Sequence, residues 1–192
     1  MTKQFFYRIL TSIFLFFTVY LMFIDNIFLI LFLLIISIIS YYEFCKLIIL
    51  IKINLKLSYF NFIFYNILFF LYLSFFTIII YNSLVHESND KMFILFILFI
   101  CILTDIGGII FGKLIGGKKL TKISPNKTIA GSIGGFVLSF LCLLFFLDYI
   151  SDYSLFNLLI LVIATSFFSQ IGDLFVSFLK RKAKVKDTGK IL

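Results

Sequence analysis

Runs of about 20 apolar residues follow one another along this chain, broken only by short polar stretches. A surface helix of a soluble protein needs a polar face, and these runs have none over most of their length. Each run matches one crossing of a bilayer's hydrocarbon core, where every backbone amide must be bonded within the segment. A composition that is 62% hydrophobic, with a mean hydropathy of +1.17, leaves no room for the polar faces of a soluble helical core. The expected fold is all-α, a polytopic integral membrane helix bundle of about six transmembrane helices. Their spans are 5–24, 27–45, 59–81, 92–110, 128–147 and 154–177. The first run follows Lys3 and carries Arg8, as a signal peptide would. Leu21-Met22-Phe23-Ile24-Asp25 offers no small-residue cleavage site, so an uncleaved first helix is expected. The loops are too short for a second domain, and residues 1–192 read as a single membrane domain.

Positive charge orients these crossings. Lys3 and Arg8 precede or open the first run, and Lys46, Lys52 and Lys56 follow the second. Lys113, Lys118, Lys119, Lys122 and Lys127 follow the fourth, and the tail carries Lys180, Arg181, Lys182, Lys184, Lys186 and Lys190. With six crossings all of these fall on one side, and only Lys91 falls on the other, with Asp25, Glu87, Asp90, Asp148 and Asp152. Basic loops stay in the cytoplasm, so both termini are expected there, in a bacterial inner (plasma) membrane. The net charge of +8 then concentrates on one face, which suits anionic lipid or a polyphosphate. Nucleic acid is excluded as a partner, since no soluble basic domain exists to hold it. Cys45, Cys101 and Cys142 have no metal or disulfide spacing and read as small apolar fillers; His86 reads as a solvated loop residue.

Most of the chain's ten glycines and its single proline, Pro125, lie within residues 105–135. An aspartate in an apolar run is followed there by a Gly- and Lys-rich loop and then by a new apolar run. Glu43 and Asp187 lie at or in cytoplasmic loops, which leaves Asp105 and Asp173 as the acids within apolar runs, and an ionised carboxylate there normally faces the bundle interior with a partner. Asp105 stands about 12 Å before Lys113 along a helix, and Asp173 about 10 Å before Lys180. The two acids therefore sit at similar depth below the basic face. Two carboxylates beside a basic loop suggest a Mg²⁺ site for phosphates; two unrelated acids, each paired with a lysine or a backbone group, fit the spacing as well. On the sixth run Ser166, Ser169, Gln170, Asp173, Ser177, Lys180 and Arg181 share one helix face. Interhelical hydrogen bonding accounts for the serines and Gln170. It accounts less well for an acid followed by two cations.

Ser124-Pro125-Asn126-Lys127-Thr128 is expected to open the fifth helix, with Ser124 as N-cap and Pro125 in the first helical position. Such a terminus, with Lys127 beside it, can hold phosphate. Gly131, Gly135 and Ser139 form a small-residue stripe for close helix packing. Phe111-Gly112-Lys113-Leu114-Ile115-Gly116-Gly117-Lys118-Lys119 is only loosely a phosphate cradle, because it lacks the Gly-Lys-Ser/Thr of a P-loop.

Four blocks in this order resemble the phosphatidate cytidylyltransferase family, the CDP-diacylglycerol synthases. They are Asp105 with Gly112-Lys113; Ser124 to Thr128; Ser169-Gln170-Ile171-Gly172-Asp173-Leu174; and Ser177-Phe178-Leu179-Lys180-Arg181 followed by Lys186-Asp187-Thr188-Gly189-Lys190-Ile191-Leu192. The resemblance is close over residues 100–192 and is one of hydrophobic pattern before them. It implies variable N-terminal helices over 1–91 and the family's catalytic core over 92–192 without its last segment. Ala130 and Val176 stand where the family commonly has Glu, and Asn126 where it has Lys. The family signature continues with a Gly-His-Gly-Gly segment and an Asp-Arg pair, and the sequence stops at Leu192, before that point. The expectation is a fragment or a protein without that part of the site.

The implied reaction joins CTP and phosphatidate into CDP-diacylglycerol and pyrophosphate. The resemblance gives catalytic roles to Asp105, Asp173, Lys127, Lys180, Arg181, Lys186 and Asp187, and nucleotide contacts to Ser124, Lys127, Thr128 and Gln170. Asp173 and Asp105 would hold Mg²⁺. CTP, phosphatidate and membrane lipid are the implied partners, and a homodimer is compatible with them. Two competing readings are an inactive family member that serves as a membrane partner and an ion-coupled transporter using Asp105 and Asp173.

Overall fold

The computed structural model describes residues 17–21, 25–86, 88–121, 123–150 and 153–185. Among them five long helices run back and forth: α1 (Asn26–Leu55), α2 (Tyr59–His86), α3 (Ser88–Leu114), α4 (Ile129–Phe146) and α5 (Leu155–Lys182). Each is long and apolar enough to cross a membrane, so the chain is an all-α, polytopic helix bundle. The expected first crossing lies outside the described residues except at 17–21, which is helical. The other five crossings correspond to α1–α5. Most of these helices outrun their apolar spans. α1 continues ten residues beyond the expected end at 45, taking Lys46 and Lys52 into the helix rather than a loop. Hydropathy marks where hydrocarbon ends, whereas a helix keeps its backbone bonds in the headgroup region as well.

The helix ends are built by short-range chemistry. Asp25 caps α1 by accepting from the Ile27 amide at 3.0 Å, and Ser154 caps α5 by accepting from the Asn157 amide at 3.3 Å. At the other ends of α1 and α5 a lysine, not a glycine, takes the left-handed conformation: Lys56 at φ 51° and Lys184 at φ 57°. The Leu57 amide then reaches back to the Lys52 carbonyl, and the Val185 amide to that of Lys180.

α3 and α4 pack closest, and glycine is the reason. A Cβ on Gly107 would stand 2.5 Å from the Gly134 carbonyl oxygen, and one on Gly131 would stand 2.6 Å from that of Gly108. The stripe expected on α4 does pack closely, with Gly131, Gly135 and Ser139 all buried. Its counterpart on α3 is Gly107, Gly108 and Gly112. Hydrophobicity drives no helix association in lipid, so small residues and polar contacts do this work. Thr104 Oγ1 donates to the Ile100 carbonyl at 2.8 Å and lies 3.0 Å from Ser166 Oγ, joining α3 to α5. Cys45 meets Asn66 Oδ1 at 3.0 Å between α1 and α2.

An apolar cluster of Phe96, Ile100, Cys142, Leu143, Leu158 and Val162 closes α3–α5 far from the basic end. Another, of Leu47, Ile48, Ile51 and Ala183, joins α1 to the end of α5. The outer faces carry large exposed residues such as Phe60 and Leu144, as lipid contact requires. Lys52, Lys56, Lys113, Lys118, Lys119, Lys127 and the cations that close α5 gather at one end of the bundle.

Candidate functional site

The segment between α3 and α4 is a folded loop. It turns at Gly116 and Gly117, whose φ angles of 62° and 92° suit glycine; space does not require them, since nothing lies within 4 Å of an added Cβ. Lys119 then pairs with Thr128 in an isolated antiparallel bridge. The Leu120 amide donates to the Lys127 carbonyl at 2.8 Å, and the Ile129 amide to that of Lys118 at 3.0 Å. At the tip the Lys127 amide donates to the Ser124 carbonyl at 3.1 Å.

This corrects the expected start of the fifth helix. Ser124 is not its N-cap, and Pro125 is not its first residue. They are positions i and i+1 of a β-turn, a place that favours the same two residue types. Thr128 is the N-cap, accepting from the Gly131 amide at 3.0 Å. Two of the first three helical amides are thus already engaged, one by Lys118 and one by Thr128. The loop therefore presents the Lys127 side chain to the cavity rather than a bare helix terminus.

Loop, α3, α4 and α5 enclose a cavity of about 580 Å³ at the basic end. α3 contributes Asp105, next to Thr104, together with Gly108, Gly112 and Lys113. α5 contributes Gln170, Asp173 and Ser177, spaced three and four residues apart on one face. The loop and the start of α4 contribute Ser124, Lys127, Thr128 and Ser132. Both carboxylates are substantially exposed to this space, so the acids of the apolar runs line an open cavity. Lys127 Nζ pairs with Asp173, tying the loop to α5. Ser132 Oγ donates to Gln170 Oε1, and Gln170 Nε2 donates to the Ser132 carbonyl at 3.3 Å, so the glutamine is clamped from both ends.

Six of the ten residues given roles by the resemblance therefore converge, Asp105, Ser124, Lys127, Thr128, Gln170 and Asp173, and Gly112, Lys113 and Ser177 of the same blocks line the cavity with them. Lys180 and Arg181 do not line the cavity. Arg181 Nε instead donates to the Ile123 carbonyl at 3.4 Å, bracing the loop from outside. Lys186 and Asp187 lie outside the described residues. Ser132 was not singled out; its place four residues after Thr128, one turn along the same helix face, was the available signal.

The fold and site define a class: an integral membrane bundle with carboxylates, hydroxyls and two lysines, Lys113 and Lys127, gathered in a cavity at its basic end. The chain belongs to the Cytidylyltransferase family, whose model matches residues 55–192. Among curated proteins it is similar to the phosphatidate cytidylyltransferases of Staphylococcus haemolyticus and Staphylococcus saprophyticus, each 44% identical over 110 residues, and to that of Staphylococcus aureus strain COL, 43% identical over 110 residues. Each alignment takes in 55% of this chain and 42% of the relative, so the chain spans less than half the length of the curated relatives it matches. No solved structure matches it.

Proposed function

We propose that this protein is a phosphatidate cytidylyltransferase, transferring the cytidylyl group of CTP to phosphatidate and releasing pyrophosphate. The observation that carries this reading is the convergence of Asp105, Asp173, Lys127 and Gln170 on one cavity at the basic end, within a chain of the Cytidylyltransferase family. A triphosphate needs fixed positive charge near its oxygens, and Lys127 supplies it from a loop held by its own backbone bonds. Ser124, Thr128 and Gln170 offer hydrogen bonds to the nucleotide. The phosphatidate phosphate attacks the α-phosphorus of CTP, one P–O bond forms as another breaks, and pyrophosphate leaves with the electron pair. Holding the two reactants in line and neutralising their charge is the main task of such a site. Phosphatidate enters laterally between helices, so its acyl chains need not leave the bilayer.

The residues suit Mg²⁺. Asp105 and Asp173 bring hard anionic oxygens from two helices, and Ser132 and Ser177 line the same cavity. Among the described residues no group of three or more His, Cys, Asp or Glu could hold a metal by itself. The two carboxylates would hold such a cation with phosphate oxygens completing its shell. When bound, Mg²⁺ would supply charge neutralisation at the phosphates. Lys127 must then leave Asp173 for the nucleotide. The basic end faces the cytoplasm of a bacterial inner membrane, where CTP is available. Conversion of radiolabelled CTP into a lipid-soluble product by membranes containing the protein tests the reading. Product should require added phosphatidate; its absence with phosphatidate and Mg²⁺ supplied would refute the proposal.

A further inference from the structure

The end of α5 is held by α1. The C-terminal turn of α5 contains no glycine, yet Lys184 adopts the left-handed conformation that glycine adopts most readily. The turn closes on α5 itself through the Lys184 and Val185 amides, and contacts from α1 add to that closure. The Asn54 side-chain amide donates to the Ala183 carbonyl at 2.9 Å, across a sequence separation of 129 residues. Ala183 is buried with Leu47, Ile48 and Ile51 of α1, and Val185, Leu57 and Leu179 pack against the same cluster. Two residues before Ala183, Arg181 grips the Ile123 carbonyl of the loop that carries Ser124 and Lys127. The contacts thus run in series from Asn54 through the end of α5 to the loop over the cavity.

We propose that Asn54 is a positioning residue. It fixes the last turn of α5, and through Arg181 it fixes the loop that presents Lys127. Asn54 lies one residue before the stretch matched by the family model, so the clamp comes from a part of the chain that the family match does not include. The activity arm of this inference rests on the proposed cytidylyl transfer; the structural arm does not.

The test uses the full chain in nanodiscs. Asn54→Leu keeps the branched shape and removes the amide, and Asn54→Asp serves as a second variant that keeps the size but, when ionised, cannot donate to the Ala183 carbonyl. Amide hydrogen exchange is read at Lys184 and Val185, whose amides are bonded in the native turn at 3.1 and 3.0 Å, and at Leu120 and Lys127 in the loop. Loss of one hydrogen bond should speed exchange at both places about fivefold, with the α3–α4 amides unchanged. Lys184→Gly should slow it again in the double variant, because glycine adopts the turn without help. In the turnover assay Asn54→Leu should lower kcat about tenfold, the double variant should recover most of it, and Lys184→Gly alone should match the parent. Unchanged exchange in both Asn54 variants would overturn the clamp, as would faster exchange that Lys184→Gly does not reverse. Faster exchange, reversed by glycine, in a protein that never turns over CTP would uphold the clamp and count against the transferase reading.

Discussion

Lys127 carries the most specific demand of any side chain at the site. It lines the cavity and pairs with Asp173, whereas Lys118, nine residues earlier in the same loop, is exposed and outside the cavity. If cations act only through diffuse attraction, the two should be equivalent. Placed contact predicts otherwise: Lys127→Ala should lower kcat/KM for CTP by about 10- to 100-fold, and Lys118→Ala should change it by less than about twofold. Steady-state kinetics with CTP varied at fixed phosphatidate decides between them. Ser132 offers a second check, since it holds both ends of Gln170. Ser132→Ala removes only the hydroxyl and leaves the carbonyl, so a partial loss in CTP affinity is expected, smaller than that of Lys127→Ala.

The helices make a sharper statement about glycine than the sequence did. A Cβ at Gly107 would run into the Gly134 carbonyl oxygen and the Gly135 Cα, which are backbone and cannot step aside. Gly107→Ala should therefore destabilise the bundle by about 1–3 kcal/mol or more. Gly172 lies in α5 with nothing within 4 Å of an added Cβ, so Gly172→Ala should be neutral or stabilising by up to about 1 kcal/mol. Thermal unfolding in detergent, followed by far-UV circular dichroism, distinguishes the two. The apolar runs made the crossings legible because hydrocarbon thickness imposes a length on them. The small-residue stripe of α4 was legible for the same kind of reason. The start of α4 was not, because Ser-Pro satisfies both an N-cap and a β-turn, and the bridge between Lys119 and Thr128 that selects the turn is a pairing across the loop. Asp105, Gln170 and Asp173 were legible as polar residues in apolar surroundings. The outward turn of Arg181 toward Ile123 was not, because helical spacing gives a face but not a partner.

For the whole molecule, the position of the cations relative to the bilayer fixes which compartment the cavity serves. In a background without Cys45, Cys101 and Cys142, a cysteine at Lys118 should react with an impermeant thiol reagent only from the cytoplasmic side, and one at Tyr149 only from outside. The opposite pattern would put the cavity where CTP is absent. The proposed transfer turns on Asp173, which lines the cavity with Asp105 and pairs with Lys127. Asn has nearly the same shape as Asp and no charge. Membranes carrying the parent protein or Asp173→Asn in equal amounts should be given labelled CTP, phosphatidate and Mg²⁺, and the CDP-diacylglycerol formed should be counted. The parent should make product, and Asp173→Asn should fall by about 10³-fold while inserting equally well. Equal product from the two proteins would contradict a carboxylate-centred site in this cavity.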